Sequence, residues 1–366
     1  MSPALNNPNQ KKVALFVGSD IVALLILNKV VPMMIESGYE PVLFFPDHRT
    51  PGRITDKRIK DFGFFERKIL GEVVYPFIDE GNVFHSARVL TPAQLSERYD
   101  LQLIPSVQNV NSQEFIDSLD GIKGLKGGLS IRCFQIFQQP IIDKISGLNG
   151  SGFFYNLHPG QLPAYRGVYS TAWQMARAAK KENGNTFGCT LHEIVRGIDE
   201  GHIINKRSRL IQPEKTVYAT NIELADLGHS SISDVFTQLA SGNVIETYPQ
   251  ASFEGEKKYY TYPTPEQLDE WDGLGVRLFD PAEVKERIIH FFSKAGTPHG
   301  ERLSTRLDNA FAERGYLPSP SNDSNAPALS PTHLAGGPAS GPRPTGRASR
   351  TPPLIGGLGT QRVVPG

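Results

Sequence analysis

Apolar runs of strand length alternate with helix-length stretches through the first two hundred residues. Lys12 to Asp20 (KVALFVGSD) reads as a buried strand, Ile21 to Ser37 as an apolar helix closed by Gly38, and PVLFFP as the next strand. Together they form a βαβ unit. Pro32 lies inside the helical stretch and predicts a kink or a split there. A polar stretch, PDHRTPGRITDKR, follows, and the pattern then predicts a helix from about Glu66 to Glu80. Thr91-Pro92 opens another helix, LQLIPSVQNV is a strand, and Asn111 with Glu114 gives a capping-box-like start to QEFIDSLDG. Gly127 to Phe137 (GGLSIRCFQIF) is the next strand with its exit, and Gln139-Pro140 opens the helix PIIDKI. GIKGLKGG precedes a strand and lacks a Gly-Lys-Ser/Thr ending, so it reads as a mobile loop and not a phosphate loop. Gly18-Ser19-Asp20 after the first strand is no G-x-G-x-x-G, which argues against a nicotinamide dinucleotide.

The chemistry concentrates in Phe153 to Gly167, FFYNLHPGQLPAYRG. Phe153 to His158 reads as a short strand that Pro159-Gly160 ends at once. Side chains two apart on a strand project to the same face, so Asn156 and His158 point together at its C-terminal end. In an open parallel sheet that end is where ligands bind. Gly167 to Lys181 then has a helical pattern, and FGCTLHEIV, Phe187 to Val195, alternates like a strand. Asp199 follows in a loop framed by Gly197 and Gly201, before the strand HIINKRSRL, and is the natural third partner. His192, Asp199 and His202 match no metal-site spacing, and no metal is expected.

Composition adds mainly exclusions. With 366 residues, 39% of them apolar, and a formal charge of zero, the chain can bury a large core and has no net electrostatic pull toward nucleic acid or membrane. MSPALNNPNQKK lacks the apolar core of a signal peptide, and no apolar run reaches the roughly 18 residues of a membrane span. A cytoplasmic protein with no membrane partner is expected. Cys133 and Cys189, the only two cysteines, are spaced for neither a metal nor a redox pair.

NLHPGQLPAYRG followed by GCTLHEIVRGIDEGHII resembles the signature of the folate-dependent formyltransferases: Asn-x-His-Pro, then Leu-Pro and Gly, with Asp-x-Gly some forty residues on. Here these are Asn156, His158, Pro159, Leu162, Pro163, Gly167, Asp199 and Gly201. The resemblance implies an α/β, Rossmann-like formyltransferase fold, a mostly parallel sheet with flanking helices. It implies an N-formyltransferase using 10-formyltetrahydrofolate as co-substrate, with Asn156, His158 and Asp199 catalytic. Arg132, Cys133, Phe134, Gln135 and Ile136 would then lie beside the folate, together with Asp199, and Arg166, Arg196 and His192 are candidates for holding the acceptor.

The branch is read from smaller signs. GLSIRCFQIF with NLHPGQLPAYRGV looks closest to enzymes that formylate N-hydroxyornithine for siderophores, and Gly160 stands where purine and sugar enzymes usually have Ser. The alternative is a nucleotide-linked amino-sugar N-formyltransferase, although no phosphate loop is present to take a diphosphate. A methionyl-tRNA formyltransferase is disfavoured because neither short alternating strands nor a basic stripe follows Trp271. A formyltetrahydrofolate hydrolase usually carries a regulatory-type domain ahead of the first strand, which here begins at Lys12. A non-catalytic folate-binding relative would gain nothing from burying Asn, His and Asp together. The expected partners are thus folate and a small amine, with a homo-oligomer left open.

The organisation expected is a disordered N-terminus (1–11), a catalytic domain (12–208), a smaller C-terminal α+β region (209–316) and a disordered tail (317–366). That region holds a helix from about Thr220 to Ser241, the aromatic segment around Tyr259 and Tyr260, and a helix opened by Asp280-Pro281. The tail is rich in Pro, Gly, Ser and Thr and cannot bury enough apolar surface to offset its chain entropy.

Overall fold

The computed structural model describes residues 10–48, 54–81, 88–182, 184–316 and 361–363. The chain runs β1 (Lys11–Val17), α1 (Ile21–Glu36), β2 (Tyr39–Pro46), α2 (Lys57–Gly63), α3 (Tyr75–Gly81), α4 (Pro92–Tyr99), β3 (Leu103–Val107), α5 (Gln113–Ser118) and β4 (Leu125–Ile131). It continues with α6 (Gln139–Ser146), β5 (Phe153–His158), β6 (Arg166–Gly167), α7 (Ser170–Ala179), β7 (Thr186–Glu193), β8 (Ile203–Leu210) and α8 (Val217–Ala240). Last come β9 (Tyr259–Tyr260), α9 (Pro265–Gly273), α10 (Pro281–Phe292), α11 (Pro298–Ala312) and β10 (Gln361–Val363).

Eight strands form one sheet in the order β10-β8-β7-β5-β4-β1-β2-β3. β3, β2, β1, β4 and β5 pair in parallel, and β7, β8 and β10 continue the sheet antiparallel. The chain leaves β1 toward β2 and β3, then returns to build β4 and β5 on the other side. The C-terminal ends of β1 and β4 therefore flank the switch point of a doubly wound sheet, where a crevice opens. Alternation along β1 puts Val13, Leu15 and Val17 in the larger core and Ala14 and Phe16 in the smaller one, so both faces are covered. The larger core takes in Val217 to Phe236 of α8, Phe292 and Phe311 as well as β1. Residues on both sides of position 209 thus share one core.

Several elements depart from the sequence expectations for identifiable reasons. α1 runs unbroken from Ile21 to Glu36 with Pro32 inside it, because the proline forfeits a single backbone bond while buried Val30, Val31 and Met34 hold the helix to the core. The helix expected from about Glu66 to Glu80 begins earlier, at Lys57, and passes through π-helical turns at Phe64–Lys68 and Leu70–Val74. Ser112, not Asn111, caps α5, its hydroxyl accepting the Phe115 N–H, while Asn111 is engaged elsewhere. Leu125 to Gly128 of the expected loop belong to β4, where Phe153 and Phe154 lie against the two glycines. Residues 1–9, 49–53 and 82–87 lie outside the described residues. So does the expected disordered tail, except Gln361–Val363, whose backbone pairs antiparallel with Lys206 to Ser208 of β8.

Candidate active site

β5 ends in the crevice with Asn156 and His158 two residues apart, and β7 lies antiparallel beside it with His192 opposite Asn156. Asn156 Nδ2 is 3.1 Å from His192 Nε2. His192 Nδ1 is 2.7 Å from the carbonyl of Glu193 and must carry the proton, so Nε2 accepts from the Asn156 amide. His158 Nε2 lies 2.6 Å from the carbonyl of Tyr165, to which it donates, leaving Nδ1 turned toward Asp199 Oδ1 at 3.5 Å. Asp199 Oδ1 is also 3.6 Å from His192 Nε2. Two backbone carbonyls thereby fix both rings, so that the His158 Nδ1 lone pair faces the Asp199 carboxylate and the His192 Nε2 lone pair takes the Asn156 amide proton.

Asp199 is held from three sides. Its Oδ2 accepts the Gly167 N–H at 2.8 Å, its own carbonyl accepts from Gln250 Nε2 at 2.7 Å, and its backbone sits in the left-handed region at φ 53°. The Asp-x-Gly spacing has a steric cause, since a Cβ on Gly201 would lie 1.9 Å from the carbonyl of Glu193. Burial works against ionisation of Asp199, but His158, His192 and the Gly167 N–H outweigh it and hold the carboxyl well below the usual range. Burial lowers the basicity of His158, with Asp199 opposing. The resting pair is a buried carboxylate beside a neutral imidazole.

These groups line a cavity of about 250 Å³ whose opposite wall is the exit of β4. Gln135 secures that exit: its Oε1 accepts the Val110 N–H, and its Nε2 donates to the carbonyls of Asp47, Val107 and Gln108. Asn111 secures it again by donating to the Ile136 carbonyl and accepting from the Gln138 N–H. Cys133 and Phe134 line the cavity too; burial pushes the Cys133 thiol up to about 12, and Phe134 packs edge-on against His48. Four of the exposed large apolar side chains, Ile136, Val195, Ile198 and Tyr259, line the same cavity. Exposed apolar groups gathered at one opening mark a surface that binds something apolar.

The remaining sequence candidates fall in different places. Arg132 lines the cavity, but its guanidinium is committed to Asp20 at 2.8 Å and Glu66 at 2.7 Å. Arg166 does not line it and pairs with Glu200 at 2.8 Å. Arg196 is exposed on the wall and has no ion-pair partner among the described residues. Sequence reading missed the cluster that supports the floor: Asp20 at the N-cap of α1, Glu66, Arg67, and Asn221 of α8, which donates to Glu66. Its members come from three distant segments, and only the helix-capping role of Asp20 has a local signature. A second cavity of about 1210 Å³ shares Arg67, Tyr169 and Tyr262 with the first and includes Lys60 and Lys68.

Residues 135–236 match the family model described as "Formyl transferase". Methionyl-tRNA formyltransferase of Caldanaerobacter subterraneus subsp. tengcongensis is 28% identical over 124 residues, 34% of this chain and 38% of that protein. The same enzyme of Solibacter usitatus is 30% identical over 139 residues, 38% of this chain and 41% of that protein. The matched region thus spans about two fifths of these relatives. Among solved structures, a sugar N-formyltransferase from Shewanella sp FDAARGOS_354 is similar with TM-score 0.44 and 13% identity, covering 82% of this chain and 88% of that one. Glycinamide ribonucleotide transformylase 1 from Symbiobacterium toebii gives TM-score 0.42 and 14% identity, covering 68% and 98%. At such scores the structural likenesses add no argument, and the placement rests on the sequence match and the motif it contains. Residues 135–236 thus carry the match to the formyl transferase family model, and Asn156, His158 and Asp199 all lie within it.

Proposed function

We propose that the protein transfers the formyl group of 10-formyltetrahydrofolate to the amine of a small molecule, N-hydroxyornithine being the best candidate. The observation that carries this reading is the convergence of Asn156, His158 and Asp199 at the C-terminal end of β5, with both neighbouring imidazoles oriented by backbone carbonyls. A folate fits the chemistry of the walls: exposed Ile136, Val195, Ile198 and Tyr259 offer apolar contact to a flat ring system, and the tethered backbone of 132–137 offers polar groups to its edge. The folate supplies the formyl carbon.

The chain's own groups have separable tasks. The acceptor nitrogen bonds to the formyl carbon, the bond from that carbon to the folate nitrogen breaks, and one proton passes from the amine to the leaving nitrogen. Asn156 has a second amide hydrogen beyond the one given to His192, and it donates to the oxygen that becomes negative; such a donor is worth roughly 3–4 kcal/mol of barrier. The amine proton passes, directly or through water, to the His158–Asp199 pair and settles on His158 Nδ1; the imidazolium so formed, stabilised by Asp199, gives a second donor until that proton moves on to the leaving folate nitrogen. Arg196 is the residue available to clamp an acceptor carboxylate, because Arg166 is occupied by Glu200.

One observation favours the amino-sugar alternative. The larger cavity beyond Tyr169 and Tyr262 exceeds what an amino acid fills, and Lys60, Arg67 and Lys68 on its wall suit an anionic acceptor. A competition assay offering N-hydroxyornithine, ornithine, lysine and a nucleotide-linked amino sugar, read by the mass of the formylated product, decides between them. Formylation of the amino sugar alone would overturn the siderophore reading and leave formyl transfer standing.

A further inference from the structure

We propose that Gln250 is the positioning residue of Asp199: by tying down the turn that carries this carboxylate, it fixes the reach of Asp199 Oδ1 to His158. The inference rests on the formyl-transfer reading for its kinetic consequence but not for its geometry. Gln250 lies 51 positions from Asp199 and beyond residues 135–236, the part that matches the family model. Its side-chain amide is buried and bridges two main-chain carbonyls, with Nε2 2.7 Å from the oxygen of Asp199 and 3.0 Å from that of Gly201. A carbonyl only accepts, so the amide presents its nitrogen and spends both hydrogens on this turn. Its own oxygen is left buried without a hydrogen-bond partner among the described residues. A stranded acceptor costs stability that a well-packed apolar side chain would not lose, and the two bonds from the nitrogen are what a glutamine adds there.

The turn needs that support. Asp199 sits at φ 53°, a left-handed conformation that a residue with a side chain keeps only where its surroundings hold it. Gln250 is itself anchored, because Tyr248 and Ile203 exchange two backbone hydrogen bonds of 2.8 Å and dock the Gln250–Ser252 turn beside the start of β8. Further along the same segment, β9 pairs with β6, which contains the Gly167 whose N–H holds Asp199 Oδ2 at 2.8 Å. One strap, residues 248–260, therefore grips Asp199 at its backbone through Gln250 and at its carboxylate through Gly167.

The consequence is read at His158. Its charged and titratable neighbours are Asp199, His192 of β7 and Arg132 at the exit of β4; α7 offers the uncharged Ser170 hydroxyl and Tyr165 a backbone carbonyl. Burial lowers the pKa of His158, Asp199 and then the Tyr165 carbonyl oppose this, and His192 and Arg132 add to the lowering. A carboxylate released from its turn would spend less time 3.5 Å from Nδ1, and His158 would become less basic.

The test uses the full chain labelled with 15N-histidine and compares the wild type with Gln250→Met and Gln250→Ala. Both changes are neutral, so neither adds a charge near the pair. The His158 signal is identified by its loss in His158→Ala, and its titration reads the pKa without any turnover. Both Gln250 variants should show a lower His158 pKa than the wild type, and a kcat lower by roughly tenfold with KM for the folate donor unchanged. An unaltered or raised His158 pKa in a folded variant would overturn the proposal, whatever happens to kcat. If neither variant folds, hydrogen exchange in the wild type decides: the Gln250 side-chain amide should exchange far more slowly than that of a surface glutamine, and equal rates would overturn the proposal. Absence of any formyl transfer by the wild-type protein would remove the functional reading, while the titration would still decide what Gln250 positions.

Discussion

Asn156 and His192 face each other across an antiparallel strand pair, and their side chains meet at 3.1 Å, so the amide that would stabilise developing charge is aimed by a ring that need not touch substrate. His192→Ala should therefore lower kcat by about tenfold, through a less ordered Asn156, with KM for the folate donor unchanged. Steady-state kinetics of that variant check this. A rise in KM with kcat preserved would mean that His192 holds substrate instead.

His158→Ala and Asp199→Asn should each cost about a hundredfold or more in kcat, because on the proposed mechanism each removes a group that takes part in proton transfer or charge stabilisation. The double variant should lose little more than the worse single one, since the two side chains act as a pair 3.5 Å apart. Additive losses would show that they act independently.

The pH dependence has a defined sign. Burial lowers the folded pKa of His158, and Asp199 first, then the hydrogen bond to the Tyr165 carbonyl, opposes that shift. The acidic limb of kcat/KM should then lie below the ordinary histidine value of about 6.5 and move to still lower pH in Asp199→Asn. Both groups have depressed folded pKa values, so each contributes stability that is present above its unfolded pKa and lost as pH falls. Unfolding midpoints measured across the acid range should decline for the wild type through these two windows, and less for Asp199→Asn.

Arg132 lies between buried Asp20 and Glu66, and burial already pushes the Glu66 carboxyl upward against the pull of Arg132. Arg132→Met should destabilise the protein by about 3–5 kcal/mol at neutral pH by stranding those carboxylates. Urea unfolding measures it, and Arg132→Lys should recover only part, because an ammonium cannot bridge both partners as the forked guanidinium does. An unchanged midpoint would mean that the carboxylates find other donors.

Local patterns in the sequence carried the strand–helix alternation, the caps at Thr91 and Asp280, and the convergence of Asn156 and His158, because each depends on residues within a few positions of one another. Asp199 was legible through the spacing of its glycines, of which Gly201 has a steric reason to be there. What escaped reading depends on tertiary contact. Glu66 lies in a π-helical turn whose pattern resembles any amphipathic helix, and its partners Arg132 and Asn221 are 66 and 155 positions away. Gln135 lines the cavity and also fastens its loop to the ends of β2 and β3, which no local pattern could disclose. Ser112 replaced Asn111 as a cap because Asn111 bonds to Ile136 and Gln138, residues that follow the next strand.

On the proposed function, the Asn156, His158 and Asp199 set moves a formyl group onto an amine. The most direct measurement follows release of tetrahydrofolate from 10-formyltetrahydrofolate by the purified protein, with and without a panel of candidate amines. Release is expected only when an accepted amine is present, in equal amount with the formylated product, and is expected to be lost in Asp199→Asn. Release at the same rate without any amine would contradict it and make the protein a hydrolase of the formylated folate.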